Sequence, residues 1–141
     1  MILSLIKFAV LLALLIYASI KDIKSREVPD SVSGMMLILG LVGITVGDLP
    51  SMLLGMALVF LPQYLAAIIN PEKALGGADI KLSSAAAFLL GAPKGLFALI
   101  VGLTLSVITV PIVRAVKKLP KNQPFPLVPF LAVGIIAAYL I

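Results

Sequence analysis

Acidic residues are scarce in this chain, six Asp and Glu against eleven Lys and Arg. Two of them lie where apolar runs meet polar ones. Asp22 closes the first apolar segment, in Ile20-Lys21-Asp22-Ile23-Lys24-Ser25-Arg26-Glu27-Val28-Pro29-Asp30. Asp79 follows a glycine pair and opens a later segment, in Gly76-Gly77-Ala78-Asp79-Ile80-Lys81-Leu82. A carboxylate at the edge of hydrocarbon is costly and counts as a functional hypothesis by default. Two that approach each other do not easily both ionise, so the pair holds one proton between them. That state supports aspartic proteolysis. The ionised member takes a proton from water while the protonated one polarises the scissile carbonyl. A helix C-terminus beside Asp22 works against its anion, and an N-terminus at Asp79 works for one. The shared proton belongs to the pair, and no separate roles are assigned.

Each residue also has a plainer use. Asp79 before an apolar run is a good N-cap, and Asp22 can simply flank a basic loop. Gly76 and Gly77 suit a turn. Arg26 and Lys81 serve as topology charges, and Asp48 as a turn residue. Asp30 and Glu72 are rival partners for Asp79. Cysteine and histidine are both absent. That removes disulfides, thiolate ligands and imidazole catalysis, and neither a metal nor another cofactor is expected.

The elements that position these acids follow from composition. The chain is 62% hydrophobic and 12% charged, with a mean hydropathy of +1.23. A soluble domain of 141 residues cannot hide so much apolar surface. The apolar residues come in continuous runs without period-two alternation, so lipid is the solvent and helices are the spanning form. Six segments are expected, at about 2–20, 32–46, 52–69, 80–90, 96–113 and 127–141. The fourth, only eleven residues by this reading, is expected to be largely surrounded by protein. Pro62 and Pro111 lie inside segments, where bends are expected. Asp30 or Ser31 is expected to cap the second segment and Ser51 the third. Gly47–Ser51 and Gly91–Gly95 read as turns, and 114–126 as the longest polar stretch. Six spans leave no stretch for a soluble domain, so one membrane-embedded domain over residues 1–141 is expected.

Nine basic residues, Lys21, Lys24, Arg26, Lys73, Lys81, Arg114, Lys117, Lys118 and Lys121, fall on one side of a six-span arrangement. Lys7 and Lys94 fall on the other. The positive-inside rule puts the first side in the cytoplasm and both termini outside. Both aspartates then sit at the cytoplasmic surface. The basic residues flank apolar runs, as topology signals do, so nucleic acid is not an expected partner.

Taken together, the two motifs resemble the type IV prepilin peptidase family, membrane aspartyl proteases of the GxGD type. Asp22, Arg26, Val28 and Pro29 match that family's first motif. Gly76, Gly77, Asp79, Ile80, Lys81 and Leu82 match its second. Phe125-Pro126-Leu127-Val128-Pro129-Phe130-Leu131-Ala132 is similar to a proline-containing motif that opens the family's last helix. Ala78 departs from the pattern where the family name has Gly, and Val128 stands where Gly is frequent. A negative φ at Ala78, already in the first turn of the fourth segment, accommodates the first departure and leaves the turn to Gly76 and Gly77.

The resemblance implies a GxGD-protease-like bundle of six transmembrane helices in the cytoplasmic membrane, with Asp22 and Asp79 catalytic. It implies a prepilin-like substrate with a short basic leader and an apolar helix, drawn from pilins, Flp/Tad pilins or archaeal pilins and flagellins. Cleavage is implied at the cytoplasmic membrane face. Long members carry a cysteine-containing cytoplasmic domain and N-methylate the trimmed pilin; this chain looks like the short, peptidase-only branch. Membrane lipid is the other expected partner, and the sequence sets no oligomeric state. A small proton- or cation-coupled transporter or channel subunit would place its acids mid-span. A non-catalytic membrane scaffold would need neither aspartate.

Overall fold

The computed structural model describes residues 1–25, 27–70, 77–118, 120 and 126–141, and at Ala78 the backbone alone. Among the described residues there are six α-helices and no strand: α1 (Ile2–Ser25), α2 (Asp30–Leu41), α3 (Leu49–Ile69), α4 (Gly77–Leu90), α5 (Ala92–Lys117) and α6 (Val128–Leu140). A 3-10 turn, Val46–Asp48, leads into α3. The unbroken runs of Leu, Ile, Ala and Val thus form helices, which bond their own backbones in an apolar solvent.

Helix α4 is the hub and packs against α2, α3, α5 and α6. Every residue from Leu82 to Phe88 is buried. Ser83, Ser84, Ala85, Ala86 and Ala87 keep this helix thin enough to be surrounded. Helix α1 packs only on α6 and α2 among the described residues.

Side-chain contacts fix the directions. Asp22 reaches Val128 while Tyr139 reaches Ser4, so α1 and α6 are antiparallel. Lys81 reaches Asp30, and Gly40 lies against Leu89, so α2 and α4 are parallel. Gln63 reaches Ser83, and Gly55 lies against Gly91 and Ala92, so α3 is antiparallel to α4. One end of the bundle therefore collects the C-termini of α1, α3 and α5 and the N-termini of α2, α4 and α6. Both Asp22 and Asp79 lie at this end, called the acid end below.

Helices α5 and α6 approach closely. A Cβ on Gly134 would run into the Ala98 carbonyl, and one on Gly102 would stand 3.0 Å from the Leu131 Cα. Glycine at these two positions lets the backbones meet, which seats α6 firmly.

The bundle is apolar outside. Ile16 and Ile20 of α1, Leu58, Leu61 and Leu65 of α3, and Ile108 and Ile112 of α5 are all exposed, whereas Gln63, Ser83 and Ser84 are buried. So many exposed large apolar side chains suit a lipid-facing surface better than a soluble one. This is a membrane helical bundle. Three helical stretches are long and apolar enough to cross a membrane: Ile2–Ser25, Val46–Ile69 and Ala92–Lys117. Helices α2, α4 and α6 have 12, 14 and 13 residues. At 1.5 Å per residue they rise only about 18–21 Å, short of about 30 Å of hydrocarbon.

Several sequence-based boundaries change. Helix α1 does not stop at Ile20 but runs to Ser25, because Lys, Asp, Ile and Ser interrupt hydropathy without breaking a helix. Neither Asp30 nor Ser31 caps α2; Pro29 occupies the N-cap position without a side-chain bond. Helix α2 ends at Leu41, five residues early, where Val42 turns extended and Gly43 takes φ +73°. Ser51 does not cap α3. Its Oγ instead accepts the Ala92 N–H at the start of α5, 3.2 Å away. Thr45 and Asp48 cap each other's turn ahead of α3, with the Thr45 N–H and hydroxyl 3.0 and 3.1 Å from Asp48 Oδ2. Of Gly91–Gly95 only Gly91 is a turn residue, at φ +88°. Arg114 and Lys117 belong to α5 and not to a loop. Helices α3 and α5 continue through Pro62 and Pro111.

Candidate active site

Asp22 lies inside α1 and does not end it. Leu11, Leu15, Ala18 and Asp22 form the buried stripe of that helix, at spacings of four, three and four. The stripe is apolar until its last member, which is only 7% exposed. A carboxylate so buried needs a hydrogen-bond partner. Its Oδ2 accepts the backbone N–H of Val128 at 3.0 Å. Val128 is the first residue of α6 and is fully buried. Asp22 therefore meets a helix N-terminus as well as the end of its own helix. The sequence placed a C-terminus beside it and gave no sign of the N-terminus.

Asp79 is the third residue of α4 and is half-buried. Leu82, Ser83 and Ala86 follow it at three, four and seven residues, so it heads the face of α4 that enters the core. Leu82 and Ala86 belong to one apolar cluster with Leu15, Ala18, Val28 and Val128. The stripes of α1 and α4 thus converge on one core, and each ends at the acid end in an aspartate. The two backbones keep apart. Their described Cα atoms stay more than 8 Å apart. Val28, from the link between α1 and α2, and Val128, from α6, fill the shared cluster from other directions.

The motif residues around the acids take distinct places. Pro29, with φ −60° and ψ 142°, turns the chain into α2. Gly77 is the first residue of α4, has no positive φ, and has open space where a Cβ would stand. It starts a helix and does not make the turn expected of it. The Ala78 backbone is helical and its φ is not positive. Lys81 Nζ lies 3.1 Å from Asp30 Oδ1, which joins the first turns of α2 and α4. Both side chains are mostly exposed, so the pair contributes about 0–1 kcal/mol. Asp30, a rival partner for Asp79 on sequence grounds, is the partner of Lys81. Pro126 precedes α6, and Pro129 lies in its first turn. Arg26, Gly76 and Glu72 lie outside the described residues.

Two features were not drawn from the sequence. One is the Val128 N–H, which carries no side-chain signal. The other is a buried polar pair one turn inside Asp79. Gln63 Nε2 donates to Ser83 Oγ at 3.0 Å and to the Val59 carbonyl at 2.7 Å. An amide inside an otherwise apolar segment was its signal. Among the described residues no group of three or more His, Cys, Asp and Glu side chains could hold a metal ion.

The chain is thus a lipid-facing helical bundle with two aspartates at one end, one of them buried. The sequence model of the type IV leader peptidase family matches residues 9–113, and the chain belongs to that family. Asp22 and Asp79 both fall within the matched span, which ends before α6. No curated protein and no solved structure matches the chain.

Proposed function

We propose that this peptidase is an aspartic endopeptidase that removes the leader from prepilin-like substrates, with Asp22 and Asp79 as its catalytic pair. The observation that carries this is convergence. Two of the chain's six acids end the core stripes of two different helices at the same end of the bundle. The substrate is a pilin, Flp/Tad pilin or archaeal pilin or flagellin precursor. Its apolar stem lies in lipid against the bundle, and its leader junction reaches the acid end.

In the reaction, one carboxylate takes a proton from water as the oxygen attacks the scissile carbonyl. The other carboxyl donates its proton to the carbonyl oxygen. The tetrahedral intermediate then collapses, and the carbon–nitrogen bond breaks as the nitrogen is protonated. Residues 1–141 act as one membrane-embedded domain and need neither a metal nor another cofactor.

The acid end faces the cytoplasm. The described basic residues Lys21, Lys24, Lys81, Arg114, Lys117 and Lys118 lie there, whereas Lys7 and Lys94 lie toward the opposite end. All six helices cross, the short ones within a bilayer thinned or shielded by the long ones, and both termini are outside. Cysteine at the exposed positions Gly47 and Lys94 should label from outside, and cysteine at Lys117 only after the membrane is opened. The reverse pattern would put the aspartates on the wrong face for a leader peptidase. Co-expression with a prepilin, comparing wild type with Asp22→Asn and Asp79→Asn, tests the activity. Processing by wild type and by neither variant is expected. Normal processing by either variant would remove that residue from the pair.

A further inference from the structure

We infer that the first turn of α6 is a positioning element for Asp22: the Val128 N–H holds Oδ2, so that Oδ1 is the oxygen that acts in catalysis. The inference rests on the proposed catalytic pair and adds a residue to it that acts through the main chain.

The hydrogen bonds at the start of α6 can be counted group by group. A helix begins with several N–H groups that have no partner inside it. In α6 the N–H groups of Phe130 and Leu131 both turn back to the Leu127 carbonyl, at 3.0 and 3.1 Å. Pro129 has no N–H to offer. The Val128 N–H is left, in a residue with no exposed surface. Water cannot reach it there, and Asp22 Oδ2 satisfies it from the facing helix. Pro129 thereby ensures that a single donor, and not a fan of them, points at the carboxylate.

That donor is rigid. Gly134 and Gly102 allow α6 to lie directly on the α5 backbone. At the far end, the Tyr139 hydroxyl donates to the Ser4 carbonyl at 3.0 Å, and its ring lies 5.4 Å from that of Phe8. Helix α6 is thus fastened to α1 at both ends. A carboxylate on a free rotor would have to find its reactive orientation in each cycle. Asp22 is held in one orientation by a backbone that cannot rotate. An oxygen committed to accepting an N–H is also not the one that carries the shared proton, so the proton passes through Oδ1 or resides on Asp79.

The rival reading is that Asp22 merely caps α6. Two changes at one position separate the readings in the full chain. Incorporating the α-hydroxy analogue of valine at 128 replaces the N–H by an ester oxygen and keeps the side chain. Val128→Ala keeps the N–H and leaves a void in the core. Both are assayed for kcat and KM on a purified prepilin and for thermal unfolding in detergent. Unfolding also registers the weaker Leu127 carbonyl that the ester leaves behind. Positioning predicts that the ester lowers kcat about 10- to 100-fold with little change in KM, as misplacement of a catalytic group does. It also predicts that Val128→Ala, although the less stable of the two, keeps a kcat at least about tenfold above the ester. A kcat that falls in step with stability across both variants overturns the inference, and so does an ester variant with wild-type kcat. If Asp22→Asn is inactive in that same assay, the catalytic pair survives this outcome. An active Asp22→Asn overturns the pair and the inference together.

Discussion

The two aspartates sit at the same end of the bundle in opposite circumstances. Asp22 lies within a helix, one turn from its end, buried and bonded to the backbone of a second helix. Asp79 lies in the first turn of its helix, half-buried, just after the glycine-rich approach. One is built into the frame, and the other, on the proposed function, stands at the entrance. The difference teaches how a small bundle keeps an acid in hydrocarbon. The costly group is buried where the fold already needs an acceptor, and its proposed partner is less deeply buried.

The largest effect on the frame is expected at the seat of α6. Gly134→Leu would drive a side chain into the Ala98 carbonyl and lift α6 from α5. A loss of about 3 kcal/mol is expected, at the upper end for overpacking, together with loss of cleavage. Thermal unfolding in detergent measures it, and an unchanged midpoint would mean that α6 is not seated there. Next comes Asp22→Ala, which leaves the Val128 N–H buried without an acceptor and should cost about 1–3 kcal/mol. Asp22→Asn keeps an acceptor oxygen and should cost less than Asp22→Ala in the same measurement. Asp79→Ala removes a first-turn acid from a partly buried site, and the helix-dipole part of its loss is about 0.3–1 kcal/mol. If the two alanine variants lost equal stability, the contrast between frame and entrance would fail. Smallest is Gly77→Ala. With open space for the new Cβ and a helical backbone, it should leave unfolding within a few tenths of a kcal/mol. Any fall in cleavage by Gly77→Ala would then report the approach of substrate, not damage to the fold.

The centres of the helices were legible in the sequence and their ends were not. Apolar runs mark what must lie in lipid, so all six segments appear near their expected places. A run's edge is not a helix end, however. Lys21 to Ser25 continue α1 because a helix tolerates polar residues once it reaches the interface, and Asp22 moves from a boundary into the helix. Caps were misplaced for a related reason. Asp30 and Ser51 have the right side chains beside the right helices, yet one pairs with Lys81 and the other accepts from Ala92. Local preference names residues able to cap, and the packing of distant helices decides which end they serve. Asp22 and Asp79 stood out because acids are rare here. The partner of Asp22 did not, because a backbone N–H 106 residues away has no letter of its own in the sequence.

The central claim is that the framed acid and the entrance acid work as one unit, and a single set of turnovers tests it. Wild type, Asp22→Asn, Asp79→Asn and the double variant, each folded and inserted, are compared on one purified prepilin. Groups that act as a unit are grossly non-additive. Each single variant should lose at least about a thousandfold in kcat, and the double variant should be no worse than either. Substantial cleavage by either single variant, or losses that multiply in the double, would contradict the account.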